Sequence, residues 1–480
     1  MAEAPASLNP AQLDAVHHLS GPCLVLWTRL MGIDLPPSVP VQWELARDEA
    51  FTDIAARGTE TAEAAWAHSV HAEPAALSPG RWYWYRFTAL GQRSPVGRTR
   101  TAPADDATAT LRFAIASCQR WDHGHFAAWR HLATQPLDLV MFLGDYIYEY
   151  PSRPDAVRAV DGPLLRTLAQ YRQRYAQYKG DEALQAAHAA MPWLMIWDDH
   201  EVENDHSRER GQTLSGAAFQ ALRAAAYQAW WEHMPVAQAM RPVGPELRIY
   251  DRFRWGRLAS IHALDDRQYR DPQPCQPPDR GGATRVTEEA CPALNDPARS
   301  LLGQAQEAWL AEGLRLGRSR WTLVAQQTRM ARFGGDLTPP VYWTDGWDGY
   351  PPARRRLLET LAQRGRGQGT PLVLGGDVHA FMAADLRPDF DRPETPSVAV
   401  EFVGTSITSQ SGARYAVPYA RDPHIAFADA SQRGWLALKL TPGRAEAEMM
   451  ALADVRDRMT TASVLRRFTV EAGRPLLVPG

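Results

Sequence analysis

The sequence predicts an α/β fold with an all-β region ahead of it, from three observations along the chain. Between about Gly21 and Pro103, short runs alternate apolar and polar residues, the period of strands with one buried face. The Pro/Thr/Ala/Asp stretch from Thr101 to Ala109 then reads as a linker. From Leu111 onward, nearly continuous apolar runs of strand length alternate with amphipathic helical stretches, as in parallel sheets covered by helices. The expectation is an N-terminal β-sandwich over residues 1–103 and an α/β domain over residues 110–480. The core of the second should be two sheets packed face to face between helices, a four-layer sandwich.

Taken in order, strands are expected at Cys23–Arg29, Val41–Ala46, Ala65–His71 and Trp82–Thr88. The phrase Leu77-Ser-Pro-Gly-Arg-Trp-Tyr-Trp-Tyr-Arg86 resembles the opening of a strand in fibronectin type III-like sandwiches. Its aromatics should therefore fill the sandwich core and one face toward the next domain, with a carbohydrate surface as the alternative. Cys23 is expected to be a small core residue. Helices are expected at Gly124–Thr134, Leu164–Tyr178, Glu182–Ala190, Gly216–Trp231, Leu302–Leu316 and Arg354–Arg364. In the last of these, Arg354-Arg-Arg356 reads as a solvated face. Arg248–Leu264 reads as a hairpin about Trp-Gly, and Gly434–Gly443 opens a second. Cys275 and Cys291 flank a Pro/Gly-rich loop; either a disulfide staples it or both thiols are free.

Bulk properties exclude some functions. The formal net charge is −3 over 480 residues and no basic run stands out, so the expectation from bulk electrostatics is against nucleic-acid or acidic-lipid binding. No segment reaches the ~18 apolar residues of a membrane span.

Chemistry concentrates at the ends of the apolar runs. Leu143-Gly-Asp-Tyr-Ile-Tyr-Glu149 places an acid, Asp145, and a phenol, Tyr148, just past a strand end, where ligands gather in α/β sheets. Leu111–Cys118 delivers a thiol to another strand end. Pro192–Glu201 delivers Asp198, Asp199 and His200 with Asn204 beyond, and Leu372–His379 delivers Asp377 and His379. Were these strands parallel neighbours, all of these groups would meet on one rim. Hard oxygen ligands suit calcium, magnesium or ferric iron, whereas imidazole, phenolate and thiolate favour a transition metal. The mixture predicts two unlike metal sites bridged by Asp145. Of the adjacent acids Asp198 and Asp199, one is expected to point away or cap a helix. His123, His125 and the His17-His18 pair fit no ligand spacing.

The ordered motifs Ser-Cys-Gln, Gly-Asp-Tyr-Ile-Tyr-Glu, Trp-Asp-Asp-His-Glu, Asp-Asp-Arg-Gln-Tyr-Arg and Gly-Gly-Asp-Val-His resemble those of the PhoD-like alkaline phosphatases. These are a branch of the calcineurin-like metallophosphoesterases, related more distantly to purple acid phosphatases through the Asp-x-x-Tyr pair. Further matches at Leu302–Leu310, Trp347–Pro351 and Glu401–Thr408 extend the resemblance from about Val25 to Ser411. It implies an alkaline phosphatase that hydrolyses phosphate esters by in-line attack of a metal-bound hydroxide. No serine or threonine sits in a nucleophile elbow, so no covalent protein intermediate is expected. A phosphodiesterase, including phospholipase D-like action, is the alternative for the same site. A non-catalytic protein binding glycan or cell-wall polymer is the alternative from another class.

The resemblance also implies residue roles. Ferric iron would be held by Cys118, Tyr148 and His379, and calcium on the side of Asp199 and Asn204, with Asp145 bridging. Asp377 and His379 would serve one metal each; manganese, magnesium or zinc are the other candidates for the second metal. The thiolate at Cys118 stands where most metallophosphoesterases carry an Asp-x-His motif. His200 either stabilises phosphoryl oxygens, protonates the leaving alkoxide, or orients a ligand from behind. Arg267 is a candidate phosphate clamp, with a salt bridge to Asp265 or Asp266 as the alternative. The Trp343–Tyr350 loop either walls the substrate pocket or simply packs. Family members are commonly exported folded by the twin-arginine route, whereas Met1–Pro10 has neither basic leader nor apolar stretch. The expectation is a removed signal or a member that stays inside.

Overall fold

The computed structural model describes residues 24–334, 339–364, 368–410 and 422–480, so Cys23 and His17-His18 lie outside the described residues. The N-terminal region holds β1 (Leu26–Arg29), β2 (Ser38–Ala46), β3 (Ile54–Glu63), β4 (Ser69–Ala72), β5 (Trp82–Ala89), β6 (Gln92–Arg93) and β7 (Gly97–Arg100). They pair antiparallel, β3-β2-β5-β6 with β7 also on β5, and β1 with β4. In β2, Val39, Val41, Trp43 and Leu45 all point inward at period two, against Tyr83 and Phe87 of β5. Trp82, on the opposite face of β5, packs against the larger core, so the aromatics divide between core and domain junction. Gly97 has no room for a side chain, since a Cβ there would lie 2.2 Å from Tyr85 Cζ.

The larger region opens with β8 (Leu111–Ala116), α1 (Ala127–Leu132), β9 (Leu139–Phe142), α2 (Leu168–Lys179), α3 (Glu182–Ala190), β10 (Trp193–Met195) and α4 (Gly216–His233). There follow β11 (Asp251–Trp255), β12 (Ala259–Ala263), β13 (Arg285–Val286), α5 (Gly303–Leu316), β14 (Trp321–Ala325), β15 (Tyr342–Trp343) and α6 (Pro351–Ala362). It closes with β16 (Thr370–Gly375), β17 (Phe381–Leu386), β18 (Ala399–Val403), β19 (Ile425–Asp429), β20 (Arg433–Leu440), β21 (Arg444–Leu452), β22 (Ala462–Glu471) and β23 (Arg474–Pro479).

Two seven-stranded sheets result, ordered β10-β9-β8-β20-β21-β22-β23 and β11-β12-β14-β16-β18-β17-β19. Period two sorts their residues into layers. Leu323, Ala325, Leu372, Leu374, Val400 and Phe402 face the first sheet's Phe113 and Ile115. Their neighbours Val324, Val373 and Val403 instead meet Leu310 and Leu314 of α5 and Leu357 and Leu358 of α6. The four-layer expectation holds. One placement differs: β8, β9 and β10 are parallel neighbours, but β16, which leads to Asp377 and His379, lies in the facing sheet. The ligand rim is therefore shared by two sheets. Arg354 also departs from the solvated reading, being buried with NH1 2.5 Å from Asp348 Oδ1.

Cys275 and Cys291 form a disulfide, with Cα atoms 6.0 Å apart across a sequence separation of 16. A loop of that length contributes about 3 kcal/mol in the chain-entropy picture. The double variant Cys275→Ser/Cys291→Ser should lose up to about that much, read as a lowered denaturant midpoint that reducing agent reproduces in the wild type and leaves unmoved in the variant.

Glu401 is fully buried and accepts N–H bonds from Met330 (2.6 Å) and Ala331 (2.7 Å), yet burial pushes its carboxyl from 4.5 up to about 7. A carboxyl whose pKa rises on folding binds its proton more tightly in the native state. Its contribution is most favourable at acid pH and declines as pH rises from about 4.5 through about 7. Denaturant midpoints across that window should carry a downward slope that is weaker in Glu401→Gln; equal slopes would count against the assignment.

Candidate metal centre

Several ligand-type residues leave their strands directly into left-handed backbone, with φ of +58° at Cys118, +59° at Asp145, +64° at Asp377 and +52° at His379. Such conformations cost about 1–3 kcal/mol each in non-glycine residues and gather at functional sites. Gly144, at φ +107°, lets the β9 and β10 loops touch: a Cβ there would lie 2.5 Å from Asp198 N. Glu201 ties the same loops together, accepting N–H bonds from Asp145 (3.0 Å), Tyr146 (2.5 Å) and Asp198 (2.8 Å).

The result is a set of overlapping clusters whose potential ligand atoms lie within 4.8 Å of one another: Cys118/Asp145/His379, Asp145/Asp198/Asp199/Asp377, Asp145/Asp199/His200 and Asp199/Asp205/Asp345. The Tyr148 hydroxyl donates to Asp145 Oδ2 (2.8 Å), lies 3.2 Å from His379 Nε2, and accepts from Ser409 Oγ (2.7 Å). The structure thus brings Cys118, Asp145, Tyr148 and His379 together on one side and Asp199 and Asp377 on the other. Asn204 is half-buried, with its N–H on Glu149 Oε1 (2.9 Å), and it precedes Asp205 of the last cluster.

Electrostatics favour cations here. Burial pushes the Asp377 carboxyl up to about 8, with Asp345 and Asp199 adding repulsion against the pull of Arg267. Burial together with Asp345 and Asp199 takes Asp205 to about 7. Burial also raises the Cys118 thiol, and Asp145 and Asp377 add to it. Asp198 Oδ2 is buried without a hydrogen-bond partner. Acids crowded in this way ionise together when cations sit among them.

His200 belongs to the Asp145/Asp199 cluster and has a carboxylate partner of its own. Its Nδ1 is 2.7 Å from Glu149 Oε2 and its ring lies over Tyr148 at 4.2 Å between centroids. Burial opposes its protonation, but Glu149, Asp145 and Asp199 outweigh it and hold the imidazole well above its usual pKa. Arg267 is fully buried, with Nε on Asp198, NH1 2.6 Å from Asp345 Oδ2, and NH2 3.6 and 3.7 Å from Asp377 and Asp199. Its ion-pair partners are therefore these four acids, not Asp265 or Asp266, and NH2, the arm nearest Asp199 and Asp377, makes no hydrogen bond of its own among the described residues. Both members of the Asp198–Asp199 pair join the clusters, so neither points away.

Sequence reasoning passed over Glu149, Glu201, Asp205 and Asp345. Glu149 and Glu201 close motifs that were read only for their other residues. Asp345 lies in the Trp343–Tyr350 loop, which contributes a buried acid as well as aromatics. A backbone loop from the stapled insertion reaches the same acids, Ala283 N–H donating to Asp205 Oδ2 (3.1 Å).

Comparisons with known proteins agree with this geometry. Residues 113–449 match the family described as PhoD-like phosphatase, and residues 21–103 match PhoD-like phosphatase, N-terminal domain. Alkaline phosphatase D of Bacillus subtilis (strain 168) is 40% identical over 471 residues, covering 93% of this chain and 78% of that protein. A solved structure of PhoD superposes with a TM-score of 0.88 at 38% identity, covering 100% of this chain and 93% of the other. A purple acid phosphatase from yellow lupin (Lupinus luteus) seeds shares the fold, with a TM-score of 0.58 at 11% identity over 94% of this chain and 72% of its own. The chain belongs to the PhoD-like phosphatase family and is a phosphoric ester hydrolase.

Proposed function

We propose that the protein is an alkaline phosphatase working with two unlike metals bridged by Asp145, ferric iron on Cys118, Tyr148 and His379, and calcium on the side of Asp199 and Asn204. The observation that supports it most is the donor set. A thiol, a phenol and an imidazole share Asp145 with an otherwise all-carboxylate cluster, which suits a transition metal beside a hard cation. When bound, the metals supply an acidified water and neutralise phosphoryl charge.

The chain's own groups do the rest. His379 Nδ1 lies 3.3 Å from the Gln410 carbonyl, which orients the ring with Nε2 toward Tyr148 and the thiol cluster. His200, whose pKa Glu149, Asp145 and Asp199 raise above its usual value, would donate a proton to a leaving alkoxide. Arg267 balances four acids from behind, so that their mutual repulsion does not open the rim. The substrate is a phosphate ester, and hydrolysis of diesters is the second reading for the same residues.

Purified holoprotein should contain iron and absorb visible light by phenolate-to-iron charge transfer, with the band shifted or bleached in Tyr148→Phe. EGTA should abolish activity and calcium restore it. Rates on p-nitrophenyl monoester and diester, rising into the alkaline range, rank the two substrate readings. An active, iron-containing protein that is colourless would overturn the ferric–tyrosinate assignment, and activity indifferent to prolonged chelation would overturn calcium.

A further inference from the structure

Away from the metal rim, a crevice of about 1570 Å³ runs along the junction of the β-sandwich and the α/β domain. Its lining includes Trp27 and Arg29 of β1, Lys179 at the end of α2, His188 of α3, Trp193 of β10 and His233 at the end of α4. The Lys179 ammonium stands 4.4 Å from the Trp27 ring and 5.1 Å from the Tyr146 ring, with His188 Nε2 at 3.4 Å. His188 in turn stacks on Trp193 at 3.9 Å between centroids. The amine therefore lies among flat aromatic walls.

What it lacks is a counter-charge. Among the described residues no carboxylate forms an ion pair with Lys179, although the exposed Glu182 lines the same crevice, and two other acids already have partners. Asp181 pairs with Arg158 at 2.7 Å while capping α3, and Glu232 pairs with Arg172 at 2.5 Å. The nearby rings add no negative charge. His233 directs Nδ1 at the Ala229 carbonyl (2.6 Å) and meets Arg29 NH1 through Nε2 (2.9 Å), while His188 Nε2 is 2.9 Å from the Tyr146 hydroxyl. Both imidazoles are driven below their usual pKa, by burial first and by neighbouring cations second. Burial without a partner likewise brings the Lys179 amine down to about 7. An ammonium so placed gains most from an anionic partner, which none of the described residues supplies.

We propose that this crevice is a binding site for a small organic anion, its carboxylate or phosphate head on Lys179 and its apolar body against Trp27 and Trp193. The site is separate from the metal rim but close behind it. Tyr146, which forms part of the amine's cage, follows Asp145 in the chain, and its N–H is held by the same Glu201 that holds Asp145.

The test is calorimetric titration of the intact holoprotein with phenylbutyrate, phenylphosphonate and the neutral phenylbutyramide. Saturable binding of at least one anion is expected, weakened about tenfold or more in Lys179→Met, as loss of one charge-assisted contact predicts, and retained in Asp145→Asn. The two anions distinguish carboxylate from phosphate as the preferred head. Equal affinity in Lys179→Met, loss of binding in Asp145→Asn, equal binding of the amide, or no saturable binding of either anion each overturns the site. Should Lys179→Met not fold, wild-type protein provides the second measurement. A bound anion should protect Lys179 from acetic anhydride, mapped by peptide mass spectrometry, and absence of protection overturns the proposal equally.

Discussion

Asp145→Asn is expected to empty the centre of both metals and to lower kcat/KM by on the order of 10³-fold, the consequence of losing several kcal/mol of charge stabilisation. Asp145 belongs to three of the four clusters, the one containing the thiol and the two built on Asp199. In the proposed centre its charge would hold the two cations together, typically about 3.5–4 Å apart in two-metal sites. The amide keeps the shape and loses that charge. Asn204→Ala, by contrast, should weaken only the second metal. Because Asp145 is buried among other acids, its neutral replacement should leave the metal-free protein as stable as before or more so. Metal counts decide the matter: wild-type occupancy and turnover in Asp145→Asn would dismiss the bridge.

Glu201→Ala should be the most damaging single change to the frame of the site. It leaves three buried N–H groups, those of Asp145, Tyr146 and Asp198, without their acceptor. Each such loss costs about 1–3 kcal/mol, so the sum is several kcal/mol. The same bonds join the loops after β9 and β10, so stability and metal affinity should fall together. Urea midpoints measured with and without added metal provide the check. An unchanged midpoint in the metal-free protein would show that Glu201 does not clamp the loops.

The layered fold was legible because burial on both faces writes a continuous apolar run into β8, β9 and β16, and a polar residue directly after such a run has nowhere to go but the sheet's end. Cys118, Asp145, Asp199 and Asp377 all announce themselves in this way. The strands that escaped notice lack that contrast. β3, Ile-Ala-Ala-Arg-Gly-Thr-Glu-Thr-Ala-Glu, buries little more than Ala62, and Gly58 in it lies beneath Trp43 for want of space. Ion pairs have no local signal at all. Arg267 meets Asp198 and Asp345 across 69 and 78 residues, and nothing near Arg267 in the sequence favours them over the adjacent Asp265 and Asp266. The left-handed turns at the ligands were equally silent, since ordinary side chains occupy them and only the surrounding contacts enforce them.

The strand β20 has a bearing on how the molecule is made. It lies along β8, with Leu436 opposite Ile115 and Leu440 opposite Leu111, and so fills the middle of the sheet that carries Cys118 and Asp145. On the ribosome, β8 must wait, its edge toward β20 open, until the chain has been translated through Leu440. Maturation of the centre is thereby tied to the synthesis of β20: a nascent chain has Cys118 and Asp145 long before it has the strand that completes their sheet. A polypeptide that stops before β20 leaves that edge of β8 unpaired, an open edge of the kind that invites pairing with other chains.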